Sequence, residues 1–212
     1  MQLRSDSFRD GEPIPTKNAF ARHHPETHVA LSENRSPHFA WDDAPAGTKS
    51  FAILCTDSEV PSRGDDVNQE GRTVPFDLPR VEFVHWVLVD LPADARSVQE
   101  GEFASGVVPH GKPSEGPRDT RQGLNDYTGW FAGDASMAGQ YHGYDGPCPP
   151  WNDERGHRYT FTLLALDVAR LDVSGSFTIE QAREAMRGHV LGKASIVGTY
   201  TINPDARPPQ AK

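Results

Sequence analysis

The 212-residue chain carries 30 acidic against 21 basic side chains, a formal net charge of −9. That balance repels phosphate backbones and acidic bilayer surfaces, and the chain lacks the clusters of Lys and Arg that nucleic-acid binding needs. Eighteen prolines and nineteen glycines argue against a helical protein, 36% hydrophobic residues argue against a disordered one, and no run approaches the roughly 20 apolar residues that span a bilayer.

In chain order, residues 1–33 are polar and turn-rich and read as an irregular lead-in to one domain over 34–203, with 204–212 as a flexible tail. The opening stretch MQLRSDSFRDGEPIP has no apolar core of signal-peptide length, so the expectation is a cytoplasmic protein with no integral membrane association. Cys55 and Cys148 are then two reduced thiols. His24 and His28 are spaced i, i+4, but Pro25 lies between them, and with His23 they read as surface histidines.

The short apolar run SFAILCT (50–56) predicts a strand buried on both faces. The polar, proline-containing stretch 57–80 that follows is too long for an ordinary connection. In VEFVHWVLVD (81–90) the alternation puts Val81, Phe83, His85, Val87 and Val89 on one face. Residues 101–156 have no sustained period and read as loops over the sheet edge. HRYTFTLLALD (157–167) returns to strand character, with His157, Tyr159, Phe161, Leu163 and Ala165 on one face. Thr178 with Gln181 forms a capping-box pattern that opens a helix over about 178–191, and ASIVGTYTI (194–202) is a final strand. The class is mostly β.

Three segments mix strand character with residues a core would not choose: TDSEVPSR (56–63), FVHW (83–86) and DGPCPPWNDERGHRY (145–159). Asp57 and Glu59 are either solvated turn acids or part of a site. His85 is either a core histidine satisfied by a backbone carbonyl or a ligand. His157 with Tyr159 is either a strand start or a second half of the same site.

These segments, with SPHFAW (36–41), EFVHWVLVDLP (82–92), GYDGPCPPWNDERGHRYTFTLLALD (143–167) and AMRGHVLGKASIVGTY (185–200), resemble successive signatures of the phosphatidylethanolamine-binding proteins. The similarity is to the bacterial and archaeal branch called Raf-kinase-inhibitor-like, and it covers roughly residues 34–203 in order. The resemblance implies a β-sandwich of antiparallel sheets with a few peripheral helices and a small anion pocket at one end. By position it implies Asp57 and Glu59 as the acidic pocket residues, His85 and His157 as the two histidines, Pro150 as the loop proline and Tyr159 as the pocket tyrosine. Phe83 stands where animal members carry a tryptophan, and Glu59 replaces the commoner aspartate. The resemblance also implies a cis bond near Val60–Pro61 and suggests a homodimer.

An anion needs converging donors, and the candidates are both imidazoles, the Tyr159 hydroxyl and the backbone N–H groups of Gly146 and Cys148, held by a loop stiffened by Pro147, Pro149 and Pro150. Asp57 would act behind His85, fixing its ring and favouring its charged form, so that anion affinity would weaken as pH rises. The expected ligand is a phosphate, a phosphoethanolamine-like head group or a carboxylate, with regulation of an unidentified protein partner as one use of the binding. The alternative is a hydrolase or transferase built on Cys148 or a His/Asp pair, against which stands the absence of Lys or Arg beside Cys148. No spacing supports a metal, and no cofactor is implied.

Overall fold

The computed structural model describes residues 1–209. Its strands are β1 (Gln2–Arg4), β2 (Ala21–His24), β3 (His28–Leu31), β4 (Phe39–Asp42), β5 (Ser50–Pro61), β6 (Arg80–Pro92), β7 (Ser97–Val98), β8 (Gly111–Lys112), β9 (Arg121–Gln122), β10 (Gln140–Tyr141), β11 (His157–Leu166) and β12 (Val190–Tyr200). Two helices, α1 (Tyr127–Trp130) and α2 (Ile179–Ala185), lie between them. An antiparallel sheet in the order β12-β11-β5-β6-β9 forms the frame, and a smaller sheet, β1-β4-β7, is also antiparallel.

The apolar run of β5 needs two cores because its alternate side chains point to opposite faces. Phe51, Ile53 and Cys55 join Phe39 and Trp41 of β4, with Trp86, Phe161 and Leu163, in one cluster. Ala52 and Leu54 join Val84, Val87 and Val89 and the Ile179, Ala182 and Met186 face of α2 in the other. The fold is therefore a β-sandwich with a helix closing the outer face of its large sheet, as expected.

Several boundaries differ from those read in the sequence. Residues 1–33 are not irregular: they contain β1, β2 and β3, and Phe8, Ile14, Phe20 and Ala21 are buried in the main core. Residues 10–14 also cover part of the edge of β12, where the Gly11 and Ile14 N–H groups donate to the Val197 and Thr199 carbonyls at 2.8 Å. The capping box of α2 forms between Thr178 and Gln181, but the helix ends at Ala185 and not near 191. Gly188 at φ +82° turns the chain out of the helix, and β12 begins at once at Val190.

The described part of the expected tail, 204–209, is tied down. The Arg207 N–H donates to the Glu154 carbonyl at 2.8 Å, and its guanidinium lies 3.9 Å from the centre of the Phe76 ring. Residues 210–212 lie outside the described residues. No cis peptide bond occurs among the described residues, so Val60–Pro61 is trans, against expectation. Both residues continue β5 in extended register with Val81 and Arg80, which a trans bond permits. Both cysteines are free. No helix among the described residues is long and apolar enough to cross a membrane.

Candidate functional site

One row of residues crosses three strands: Tyr159 of β11 faces Asp57 of β5, which faces Phe83 of β6. Asp57 sits there because β5 continues to Pro61 and does not end in a turn at Thr56. His85 reaches the row through a defect in the ladder. Cys55 faces Trp86 and the next residue, Thr56, faces Val84, so His85 is the extra residue of a β-bulge. Phe83 and His85 share a side as the alternation predicts, but past the bulge the pattern inverts, and Val87 and Val89 face the opposite core.

These side chains line a cavity of about 250 Å³. Asp57, His85, His157, Tyr127 and Tyr159 are buried, whereas Trp130 at the cavity wall is 55% exposed. Phe83, Cys148 and Pro150 are also part of the lining.

His157 is held between two carboxylates. Its Nδ1 lies 2.6 Å from Asp57 Oδ2 and its Nε2 lies 3.2 Å from Asp153 Oδ2. Burial alone would lower the pKa of this ring; the Asp57 charge and the bonds to both acids outweigh burial and push it up to about 9. Burial raises the Asp57 carboxyl, but the His157 charge and hydrogen bond bring it below its ordinary value. Asp153 is in turn gripped by Arg80 at 2.5 and 3.0 Å. The chain Arg80, Asp153, His157, Asp57 is a buried, alternating row of charges. Both nitrogens of His157 are committed within it, so this ring is not the anion donor expected of it.

The partner expected for Asp57 was His85, and that pairing does not form. His85 Nδ1 donates to the Asp145 carbonyl at 2.7 Å, and the Asp145 N–H donates back to the His85 carbonyl at 3.0 Å. A carbonyl can only accept, so Nδ1 carries the hydrogen and a neutral His85 presents a bare Nε2. Burial lowers the pKa of this ring, and the charge of Asp57 and the bond to Asp145 only partly restore it. Asp57 does raise it, but the expected net rise is reversed, because desolvation is the larger effect.

Two further assignments fail. Glu59 does not line the cavity: a second irregularity in β5, between Asp57 and Val60, breaks the alternation. Glu59 instead binds Arg155 at 3.0 Å and Arg158 at 3.4 Å. The Gly146 N–H is not available either, because it donates to Asn34 Oδ1 at 2.8 Å. A Cβ at Gly146 would stand 2.3 Å from the Asn18 carbonyl oxygen, which explains the glycine.

The sequence reading missed the group that holds the loop. The Asp145 carboxylate accepts from Asn34 and Asn125 at 2.8 Å each and from Lys112 at 2.9 Å. It also missed how the 62–79 connection is fixed, although that connection supplies the cavity wall from Ser62 to Gly64 and at Val67 and Asn68. Buried Asn152 donates to the Asp66 and Arg72 carbonyls at 2.8 and 3.0 Å and accepts from the Asn68 N–H at 3.0 Å. Asn152→Ala removes all three bonds and should cost about 1–3 kcal/mol locally. Hydrogen exchange should then speed up at Asn68 while β11 keeps its protection; equal exchange at Asn68 in both proteins would show that the wall stands without this side chain.

Two polar groups of the cavity make no hydrogen bond of ordinary geometry among the described residues. The Tyr159 hydroxyl is buried, and burial, followed by the charge of the neighbouring Asp57 carboxylate and a weak bond to it, pushes its pKa well up. His85 Nε2 likewise has no hydrogen bond among the described residues. Cys148 also lines the cavity, but burial pushes its thiol up to about 12, so almost none is thiolate near neutral pH.

Comparison with known proteins matches this arrangement to a family. The chain is 34% identical over 206 residues to the UPF0098 protein YbhB of Escherichia coli, covering 95% of this chain and 100% of that protein. It is 32% identical over 200 residues to a UPF0098 protein of Methanothermobacter thermautotrophicus, covering 94% and 98%. A solved structure of the phosphatidylethanolamine-binding protein homolog CT736 from Chlamydia trachomatis superposes with a TM-score of 0.64 at 28% identity, over 94% of this chain and 95% of that one. Escherichia coli YbcL, at 24% identity over 94% and 97%, shares the fold with a TM-score of 0.66. The family model described as phosphatidylethanolamine-binding protein matches residues 4–201, and the chain belongs to that family.

Proposed function

We propose that this chain binds a small phosphate- or carboxylate-type anion in the cavity beneath Phe83 and holds it without transforming it. The observation that carries this reading is a buried Tyr159 hydroxyl without a hydrogen bond of ordinary geometry, in one small cavity with a His85 ring that is bonded through Nδ1 alone. Burying such groups unsatisfied costs free energy that a ligand would recover. Val60, Pro61, Phe83 and Pro150 give the same cavity apolar surface, which suits a polar head attached to an apolar body. Family membership supports a ligand-binding role, and the high thiol pKa of Cys148 weighs against nucleophilic catalysis.

The test is calorimetric titration with inorganic phosphate. Saturable binding is expected, weakened in His85→Ala and in Tyr159→Phe by about 10- to 100-fold each, the loss of a hydrogen bond to a charged group. Binding that both variants leave intact, or no saturable binding at all, would overturn the reading. Turnover of a phosphate or carboxylate ester that disappeared in Cys148→Ser would replace it with the enzyme alternative.

A further inference from the structure

The donors and acceptors at the buried end of the cavity say more than that an anion fits. His157 offers nothing to a guest, because Asp57 and Asp153 take both of its nitrogens. The Asp145 carbonyl fixes the hydrogen of His85 on Nδ1, so the nitrogen left for the cavity is an acceptor while the ring is neutral. The Tyr159 hydroxyl is a donor without a well-formed hydrogen bond, Asp57 being close enough to accept only weakly.

Facing His85 are Asp57 from β5, His157 and Tyr159 from β11, Tyr127 from α1, and the Asp145 carboxylate, which Lys112 pairs at 2.9 Å. The charges of Asp57 and His157 offset each other, as do those of Asp145 and Lys112, and the two tyrosines are neutral. No net positive charge therefore waits for a dianion. A fully deprotonated oxyanion would place lone pairs against the lone pair of Nε2.

We infer that the cavity selects oxyanions that carry a proton, of the phosphate and phosphomonoester class: the inorganic dianion HPO4²⁻ brings its own, and a phosphomonoester dianion, which has none, binds only together with one proton. In the bound state one O–H of the guest donates to His85 Nε2, or the same proton sits on Nε2 and is donated back, while a second oxygen accepts from Tyr159. The two descriptions share one proton count. Sulfate has the size and charge of the phosphate dianion but no proton to bring near neutral pH, so it is excluded until His85 itself is protonated. Burial lowers the His85 pKa, which puts that protonation on the acid side of the ordinary histidine value.

This inference rests on the anion-binding reading and can fail separately from it. The experiment compares inorganic phosphate, methyl phosphate and sodium sulfate by calorimetry at constant ionic strength, in two buffers of different ionisation enthalpy. Near pH 8, methyl phosphate, a dianion without a proton, should take up about one proton on binding and lose affinity roughly tenfold between about pH 7.5 and pH 8.5, whereas inorganic phosphate, present as HPO4²⁻, should bind with little proton uptake. Sulfate should bind at least about tenfold more weakly near pH 7.5 and gain affinity only below about pH 6.5, the ordinary histidine pKa. In a folded His85→Gln variant, whose amide can turn to donate or accept, the three anions should converge and the pH dependence should shrink to that of the ligands themselves.

Equal binding of phosphate and sulfate, or binding of methyl phosphate near pH 8 with no proton uptake, would overturn the inference and leave the anion-binding reading standing. Binding of none of the three at any pH would remove both. The proton count is read on the unaltered protein, so a His85→Gln variant that fails to fold does not spare the inference.

Discussion

Asp57→Ala is expected to destabilise the protein by about 3–5 kcal/mol near pH 7, because it leaves a buried imidazolium with half of its compensation. His157 is buried, lies 2.6 Å from Asp57 and is drawn out of its neutral form by that contact. Asp153 remains on its other side, but Arg80 already claims that carboxylate. The double variant Asp57→Ala, His157→Leu should lose clearly less than the sum of the single losses, since no unpaired charge is then left inside. Urea denaturation of the four proteins measures the coupling. Additive losses would mean that the two side chains do not form a charged pair. That pairing also leaves Asp57 no part in fixing the His85 ring, which the Asp145 carbonyl holds instead.

The second large effect is on the pH dependence of stability. The folded-state pKa of His157, about 9, lies above the value of about 6.5 expected for the unfolded chain, so the folded protein binds the extra proton between them. The stabilisation is complete below about pH 6.5 and is lost as pH rises through about 9, roughly 3 kcal/mol in all. His85 acts with the opposite sign. Its folded-state pKa is lowered, so its contribution is present above the unfolded value and is lost as pH falls toward the folded one. The buried thiols of Cys55 and Cys148, both raised, add to the alkaline loss. Urea midpoints for the protein and for His157→Leu separate these contributions. The difference between the two should narrow by roughly 3 kcal/mol from about pH 6.5 to above pH 9, and a constant difference would show that His157 is neutral in the fold.

Much of the frame was legible because it follows from apolar runs. SFAILC, HWVLV and YTFTLLAL became central strands, and the Thr178–Gln181 capping box formed as read. Boundaries were misread where a local signal was too weak to compete. Gly188 ended α2 early, and strands β1 to β3 formed from polar sequence because Phe8, Ile14 and Phe20 anchor that segment in the core. Most residues singled out in the sequence do meet in space: Asp57, Phe83, His85, Cys148, Pro150, His157 and Tyr159 all line one cavity.

Its internal pairings were not readable. Which carboxylate meets which ring depends on the register of β5, β6 and β11 and on the bulges around Thr56 and after Asp57. A shift of one residue exchanges faces, and no periodicity records where a bulge falls. The supports of Asp145 were further out of reach, because Asn34, Lys112 and Asn125 come from loops or short strands far apart in sequence and meet only when the chain closes.

The central claim is that His85, not His157, is the ring that answers the ligand, and imidazole nitrogen NMR during a titration with inorganic phosphate tests it most directly. At about pH 7 the free protein should show His157 with both nitrogens protonated and His85 as a neutral ring with hydrogen on Nδ1, a pattern their contacts require. Added phosphate should move the His85 Nε2 signal strongly, toward a hydrogen-bonded or protonated nitrogen, while both His157 signals stay in place. A titration in which His157 shifts and His85 Nε2 does not would contradict the account.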